Sequence, residues 1–145
     1  METKELYTYV DHTALKAYTT WEDIEKLCKE AITYQMASVC IPACYIKQVH
    51  NEFKDLTICT VVGFPLGYSS TEGKVTETMQ ALKDGASEID MVLNLCDVKN
   101  KDYHKVEQEI AALKKATGDH ILKVIIETCY LTEEEKIAIC QAVTN

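Results

Sequence analysis

Glycine and proline are scarce in this sequence, which has 5 Gly and 2 Pro among its 145 residues. That content excludes a collagen-like chain and a Pro/Gly-rich disordered one. Apolar residues make up 47% of the chain and charged residues 26%, as is usual in compact globular domains. Since no linker or low-complexity tract divides the sequence, we expect a single domain over residues 1–145.

Long hydrophobic runs are absent as well. The longest uncharged runs, 31–46 and 56–71, each contain a proline and several polar residues. They fall short of the roughly 20 apolar residues that a transmembrane helix needs. The N-terminal residues 1–5 are charged and are not followed by the apolar segment of a signal peptide. We therefore expect no membrane span and a cytoplasmic location.

Sequence patterns for metal binding and disulfides are also missing. The seven cysteines include no Cys-x-x-Cys pair, and the four histidines do not cluster with them. Because structural metal sites need such clusters, we expect no bound metal. An odd number of cysteines, most of them inside apolar runs, indicates free thiols rather than a disulfide framework.

Positive charge is in the minority, with 15 Lys and Arg against 23 Asp and Glu and a net charge of −8. Without a basic stripe, a surface for nucleic acid or an anionic membrane is disfavoured. The glycine-rich motifs of dinucleotide-binding and P-loop proteins do not occur in the sequence. A small molecule is therefore the expected partner.

Short β-branched runs alternate with segments of helical periodicity along the whole chain. This alternation predicts an α/β fold, in which five β-α units form one parallel sheet with right-handed crossovers. The predicted strands cover residues 6–13, 38–41, 56–64, 88–94 and 121–127.

Helix boundaries are marked by capping residues. Thr20 and Thr71 are each expected to cap a helix, and residues 132–135 form a capping box. Gly118 is expected to end the longest predicted helix. The helix after Thr71 is expected to turn three apolar side chains inward, those of Val75, Met79 and Leu82.

Charged residues interrupt two otherwise apolar strands, with Asp90 in the fourth and Lys123 in the fifth. An isolated buried ion carries a large desolvation cost, so we expect these two side chains to meet across adjacent strands. In that arrangement they could carry out acid-base chemistry. Alternatively, Lys123 extends to solvent and Asp90 accepts hydrogen bonds from backbone or hydroxyl groups.

The first two predicted strands end in further candidates. Asp11 and Thr13 share one face of the first strand, and Cys40 lies near the end of the second. Parallel β/α folds bind ligands at the carboxyl ends of their strands. The alternatives are a hydrogen bond that closes a helix cap or loop for Asp11, and, favoured for Cys40, packing as a small hydrophobic residue.

Five segments, in this order and spacing, resemble those of one family, the deoxyribose-phosphate aldolases. The resemblance covers nearly the whole chain. The segments are Tyr9-Val10-Asp11-His12-Thr13, Val39-Cys40-Ile41-Pro42, Val62-Gly63-Phe64-Pro65-Leu66-Gly67, Glu88-Ile89-Asp90-Met91-Val92 and Leu122-Lys123-Val124-Ile125-Ile126-Glu127-Thr128.

The resemblance implies a class I aldolase, an aldehyde lyase built on a (β/α)8 TIM barrel. Such an enzyme reversibly cleaves 2-deoxy-D-ribose 5-phosphate into D-glyceraldehyde 3-phosphate and acetaldehyde through a lysine Schiff base, without metal or cofactor. By motif position, Asp90 corresponds to the family's proton-relay aspartate and Lys123 to the lysine of its fifth strand. Asp11 and Cys40 correspond to active-site residues of strands one and two, and we expect Cys40 and Thr13 to contact substrate.

Other parts of the family's pattern are not among the 145 residues. These are the Lys-Thr-Ser-Thr-Gly segment with the Schiff-base lysine, the later Gly-Gly strand with a second catalytic lysine, and the phosphate-binding loops. We therefore expect an N-terminal, truncated portion of the barrel with five of eight strands, inactive or nearly so alone. Open edges on strands one and five favour a homo-oligomer.

Two functions of other classes stay open. Five β-α units also match a flavodoxin-like or receiver-like binding module. A receiver needs an acidic residue at the end of strand three, where this sequence has Gly63-Phe64-Pro65, and a lysine at the end of strand five, whereas Lys123 is near its start. The other possibility is a non-catalytic module that assembles through its open sheet edges.

Overall fold

The computed structural model describes residues 3–144 as an alternation of strands and helices. The strands are β1 (Asp11–Thr13), β2 (Ser38–Cys40), β3 (Ile58–Val62), β4 (Glu88–Val92) and β5 (Ile121–Ile125). The helices are α1 (Thr3–Tyr7), α2 (Trp21–Tyr34), α3 (Ile46–Glu52), α4 (Thr71–Asp84), α5 (Leu95–Lys99), α6 (Tyr103–Thr117) and α7 (Glu133–Thr144), with 3-10 turns at Ala43–Tyr45 and Thr128–Tyr130.

The strands form one sheet in chain order, β1-β2-β3-β4-β5. The pairs β1–β2 and β2–β3 are parallel, with Asp11 opposite Ser38 and Val39 opposite Ile58. Parallel neighbours in chain order require a crossover between them, and here each crossover contains a helix. The predicted α/β fold with five β-α units is confirmed.

Most predicted helix starts and ends are confirmed at the atomic level. The Thr20 side chain accepts a hydrogen bond from the Asp23 N–H, and the Asp23 carboxylate accepts one in return from the Thr20 N–H. At the start of α7, Thr132 and Glu135 form the same reciprocal pair. Helix α6 ends at Gly118 and is the longest of the described helices at 15 residues.

The first predicted strand is wrong over its N-terminal half. Residues 6–13 were expected to be extended, but Leu6 and Tyr7 belong to α1, and β1 contains only Asp11–Thr13. The Tyr7 ring packs edge-on against Tyr34 of α2, with ring centroids 5.4 Å apart. This aromatic contact at the end of a helix explains how the apolar run is used without a strand.

The predicted cap of α4 is wrong, and its predicted inner face is wrong at Met79, whereas Val75 and Leu82 are partly buried. Ser70, rather than Thr71, accepts the capping hydrogen bond, from the Gly73 N–H at 3.1 Å. Met79 is 60% exposed, whereas Lys74 and Thr78 are fully buried, because the buried face of α4 includes the hydrogen bonds that Lys74 makes with Val92 and Glu109. The short helix α5 was not predicted, and it begins where the Asn94 side chain accepts a hydrogen bond from the Cys96 N–H.

The chain comprises two compact units. The first contains residues up to Val61 together with Ala81–Glu88, and in it α2 packs on β1 and β2 through four buried residues, Ile24, Leu27, Cys28 and Ala31. The second contains Val62–Gln80 and the residues from Ile89 onward. Its core consists of Leu93, Val98, Val106, Leu131 and Ile139.

The helices of residues 3–144 have at most 15 residues. None of them is both long and apolar enough to cross a bilayer.

Candidate active site

Asp90 and Lys123 form the centre of the candidate site, and both lie in the second unit. The Lys123 Nζ is 3.1 Å from the Asp90 Oδ1, an ion pair between neighbouring strands. The Asp90 side chain is 17% exposed and that of Lys123 36% exposed. The expected approach of these two charges is therefore observed, and both side chains are partly exposed to solvent.

One oxygen of the Asp90 carboxylate accepts no hydrogen bond from the described residues. Its Oδ1 atom is buried and accepts no hydrogen bond from residues 3–144, so its contact with Lys123 is a charge-charge interaction rather than an aligned hydrogen bond. Buried polar atoms of this kind cost free energy and are uncommon in folded proteins. This oxygen is closed to solvent, so the exposed 17% of the Asp90 side chain is the part that a bound molecule can contact.

The candidates of β1 and β2 are held by local contacts within the first unit. The Asp11 Oδ1 accepts a hydrogen bond of 2.7 Å from the Ser38 hydroxyl, which links the two strands. The exposed Thr13 hydroxyl donates to the Asp11 carbonyl oxygen at 2.7 Å, and Cys40 is buried at 3% exposure. These contacts account for the residues structurally, and their contact with a ligand stays a prediction.

Another ion pair, which is buried, was missed by the sequence reasoning. Lys74 of α4 and Glu109 of α6 are 0% and 4% exposed, and the Lys74 Nζ is 2.8 Å from the Glu109 Oε1. The available signal was the helical spacing of Lys74, Thr78 and Ala81, which share one face of α4. Since two of these three are polar, hydrophobic periodicity pointed to a different face.

The loop that follows β3 lies on the same unit as this pair. The Gly63 N–H donates to the Glu77 carboxylate of α4 at 3.0 Å, and the Gly67 N–H donates to the Gly63 carbonyl oxygen at 2.8 Å. Between them, Phe64 and Leu66 expose large parts of their side chains. The loop borders a shallow cavity of about 360 Å³.

Known proteins are similar to this chain in both sequence and structure. The family model described as DeoC/LacD family aldolase matches residues 6–142. A deoxyribose-phosphate aldolase of Clostridium botulinum (strain Alaska E43 / Type E3) is 66% identical over 146 aligned positions, which cover 100% of this chain and 66% of that protein.

Two solved structures show the same fold. The protein QR15, an aldolase, superposes with a TM-score of 0.89 at 34% identity, over 96% of this chain and 64% of that one. A tetrameric deoxyribose phosphate aldolase from Aeropyrum pernix superposes with a TM-score of 0.84 at 25% identity, over 97% of this chain and 60% of that one. The interpretation as β-α units of a TIM-barrel aldolase family is confirmed by these matches.

The matches cover nearly all of this chain but only part of the length of its relatives. The chain spans 66% of the length of the Clostridium botulinum relative, so a third of that protein has no counterpart in the alignment. On this chain's own side, the family model extends over almost every residue, from 6 to 142. The chain therefore belongs to the DeoC/LacD family of aldolases.

Proposed function

We propose that this chain supplies the proton-transfer residues of a deoxyribose-phosphate aldolase. The substrate would be 2-deoxy-D-ribose 5-phosphate, and the products D-glyceraldehyde 3-phosphate and acetaldehyde. The observation that carries the proposal is the ion pair of Asp90 and Lys123, at 3.1 Å between neighbouring strands, together with the exposed 17% of the Asp90 side chain. The name of the Clostridium botulinum relative supports the choice of substrate.

The reaction assigns a separate task to each group. An amine adds to the C1 aldehyde and water leaves, which gives an iminium ion that accepts the electron pair of the C2–C3 bond as this bond breaks. The C3 hydroxyl loses its proton and becomes the aldehyde of glyceraldehyde 3-phosphate. Asp90 takes up that proton and relays it to C2 of the enamine, which becomes a methyl group, and water then hydrolyses the iminium ion to acetaldehyde and the free amine. Lys123 keeps the carboxylate oriented during the transfer.

The source of the imine-forming amine limits what the 145 residues do alone. The family resemblance places this lysine in a Lys-Thr-Ser-Thr-Gly segment that the sequence does not contain. Lys123 is the amine that this chain offers beside the proton-relay carboxylate. We therefore propose that the isolated chain turns over the sugar phosphate slowly or not at all.

A chimera tests the proposal. The chain would be joined to the part of the Clostridium botulinum relative that it does not cover, and acetaldehyde release from deoxyribose 5-phosphate would be followed with a coupled dehydrogenase. We expect turnover by the chimera and a loss of about 100-fold or more in kcat on Asp90→Asn, because a positioned proton-transfer group contributes at least that factor. Asp119→Asn, at an exposed position, is the matched control.

Full turnover by the Asp90→Asn chimera would overturn the assigned role. For the isolated chain, borohydride trapping with deoxyribose 5-phosphate followed by intact mass measurement detects any imine. An adduct that disappears in Lys123→Ala would show that Lys123 itself acts as the nucleophile, contrary to the proposed division of tasks.

Assembly and location complete the proposal. The strand order ends at β1 and β5, so within residues 3–144 their outer edges have no neighbouring strand. Exposed edges of this kind favour association, and the Aeropyrum pernix structure is a tetramer. We propose a homo-oligomer that works in the cytoplasm, where its seven free thiols stay reduced. A monomer mass in light scattering at all concentrations would contradict the oligomer.

A further inference from the structure

Lys74 and Glu109 are two buried charges that the proposed reaction does not use. Their side chains are 0% and 4% exposed, so neither reaches solvent or a ligand. A buried ion pair is a poor source of stability, because the cost of desolvating both charges is about as large as their attraction. Two apolar side chains of similar volume would fill the same space, so stability alone does not account for this pair.

The two side chains bind the backbone at the end of β4. The Lys74 Nζ donates to the Val92 carbonyl oxygen at 2.8 Å, and the Glu109 Oε2 accepts from the Asn94 N–H at 3.1 Å. These backbone groups lie on either side of Leu93. The ion pair of 2.8 Å between Lys74 and Glu109 closes the arrangement, so the strand end is held from α4 and from α6 together.

The same stretch of backbone sets the distance between the reactive side chains. The Leu93 N–H donates to the Ile125 carbonyl oxygen at 3.2 Å, which joins the end of β4 to the end of β5. Asp90 lies three residues before Leu93, and Lys123 lies two residues before Ile125. A shift of the β4 end relative to β5 would therefore change the contact between Asp90 and Lys123.

We propose that Lys74 and Glu109 are positioning residues that keep Asp90 against Lys123 by fixing the end of β4. This inference rests on the proposed function, because it treats the contact between Asp90 and Lys123 as the reactive one. Charged groups suit the task since they satisfy a carbonyl oxygen and an N–H that apolar side chains would leave without partners. Glu77, one turn after Lys74, accepts a hydrogen bond from the Gly63 N–H in the loop after β3. Helix α4 therefore binds the backbone at the ends of both β3 and β4.

The test measures the contact itself and needs no turnover. Reductive methylation with formaldehyde and cyanoborohydride is followed for Lys123 and, as an internal reference, for the exposed Lys101, in the 145-residue chain. A lysine amine held by a carboxylate reacts more slowly than a free surface amine. We therefore expect Lys123 to react more slowly than Lys101 in the unsubstituted protein.

Three variants release the end of β4: Lys74→Met, Glu109→Gln and the double variant Lys74→Met/Glu109→Leu. In each, the rate at Lys123 relative to Lys101 should rise by about fivefold, the upper range for a part-exposed ion pair. Lys105→Met is the matched control, because it removes an ion pair of 2.7 Å to Asp97, which joins α6 to α5. This control should leave both rates unchanged.

The double variant separates positioning from stability. Removing both charges should return the melting temperature toward that of the unsubstituted chain, because no unpaired ion is left buried. The methylation rate at Lys123 should nevertheless stay high, since the Val92 carbonyl and the Asn94 N–H still lack their partners. The inference would be overturned if the double variant recovered both the original methylation rate at Lys123 and the original melting temperature. It would also be overturned if folded Glu109→Gln kept the original methylation rate. If the proposed function is wrong, the chimera is inactive while the methylation rates at Lys123 still change in the variants as expected.

Discussion

Replacing Gly67 by alanine should destabilise the chain far more than the same change at Gly118. Both glycines have positive φ, +73° and +57°. An alanine at either site pays about 1–3 kcal/mol for a backbone conformation that L residues seldom adopt. A β carbon at Gly67 would in addition lie 2.0 Å from the Leu93 carbonyl oxygen, whereas at Gly118 it would meet no atom within 4 Å.

The close approach at Gly67 involves backbone on both sides, so no side chain can rotate away to relieve it. Forcing an extra carbon into a packed site costs about 1–3 kcal/mol. The Gly67→Ala variant should therefore lose about 1–3 kcal/mol more than Gly118→Ala, out of a total stability of about 5–15 kcal/mol. For a chain of this length, that difference corresponds to roughly 2–12 °C in melting temperature.

Urea unfolding followed by far-ultraviolet circular dichroism measures both variants against the unsubstituted chain. The dependence of the free energy of unfolding on urea must be equal in the three proteins, so that the midpoints report stability alone. Equal midpoints for Gly67→Ala and Gly118→Ala would refute the reasoning, since a β carbon meets the Leu93 carbonyl oxygen at Gly67 alone.

Two further predictions concern titrating groups. The Lys99 ammonium lowers the pKa of Glu135 below its ordinary value of 4.5, and the Thr132 backbone N–H of the α7 capping box adds to this effect. The Glu135 carboxylate therefore stabilises the fold above pH 4.5. This stabilisation is lost as the pH falls through the lower pKa of the folded state. Glu135→Gln should lower the urea midpoint at neutral pH and flatten its decline below pH 4.5, and parallel pH profiles of the two proteins would contradict this. Burial, with a smaller contribution from the Glu52 charge, raises the pKa of Cys28 to about 11. Iodoacetamide at about pH 8 should therefore spare Cys28 in the native protein and label the exposed Cys44, and equal labelling in peptide mass spectra would show that the site is open.

The parts of the fold that were predictable are those that local chemistry decides. Thr20 and the box at 132–135 cap helices through atoms three residues apart, which a sequence pattern shows directly. The meeting of Asp90 and Lys123 followed from placing each charge in an apolar strand and the two strands side by side. Segment order placed the two strands side by side but left open whether Lys123 extends to solvent instead, and the structure shows that the charges meet.

The parts that were missed depend on partners far away in the sequence. Lys74 is buried because Glu109, 35 residues later, and the end of β4 provide its hydrogen bonds. Nothing in the residues around Lys74 shows that partner, so periodicity assigned its place to Met79. The N-terminal half of the first predicted strand failed similarly, since the packing of Tyr7 on Tyr34 of α2 involves a residue 27 positions away.

The buried pair on α4 and α6 also constrains how this sequence can change over evolutionary time. Losing one charge of such a pair leaves the other buried without its partner, whereas losing both together removes that penalty and leaves only two backbone groups without partners. The effects of substitutions at Lys74 and Glu109 should therefore be strongly non-additive. Related sequences should keep both residues or exchange both. A chain with only one of the two charges folds poorly and is removed by selection.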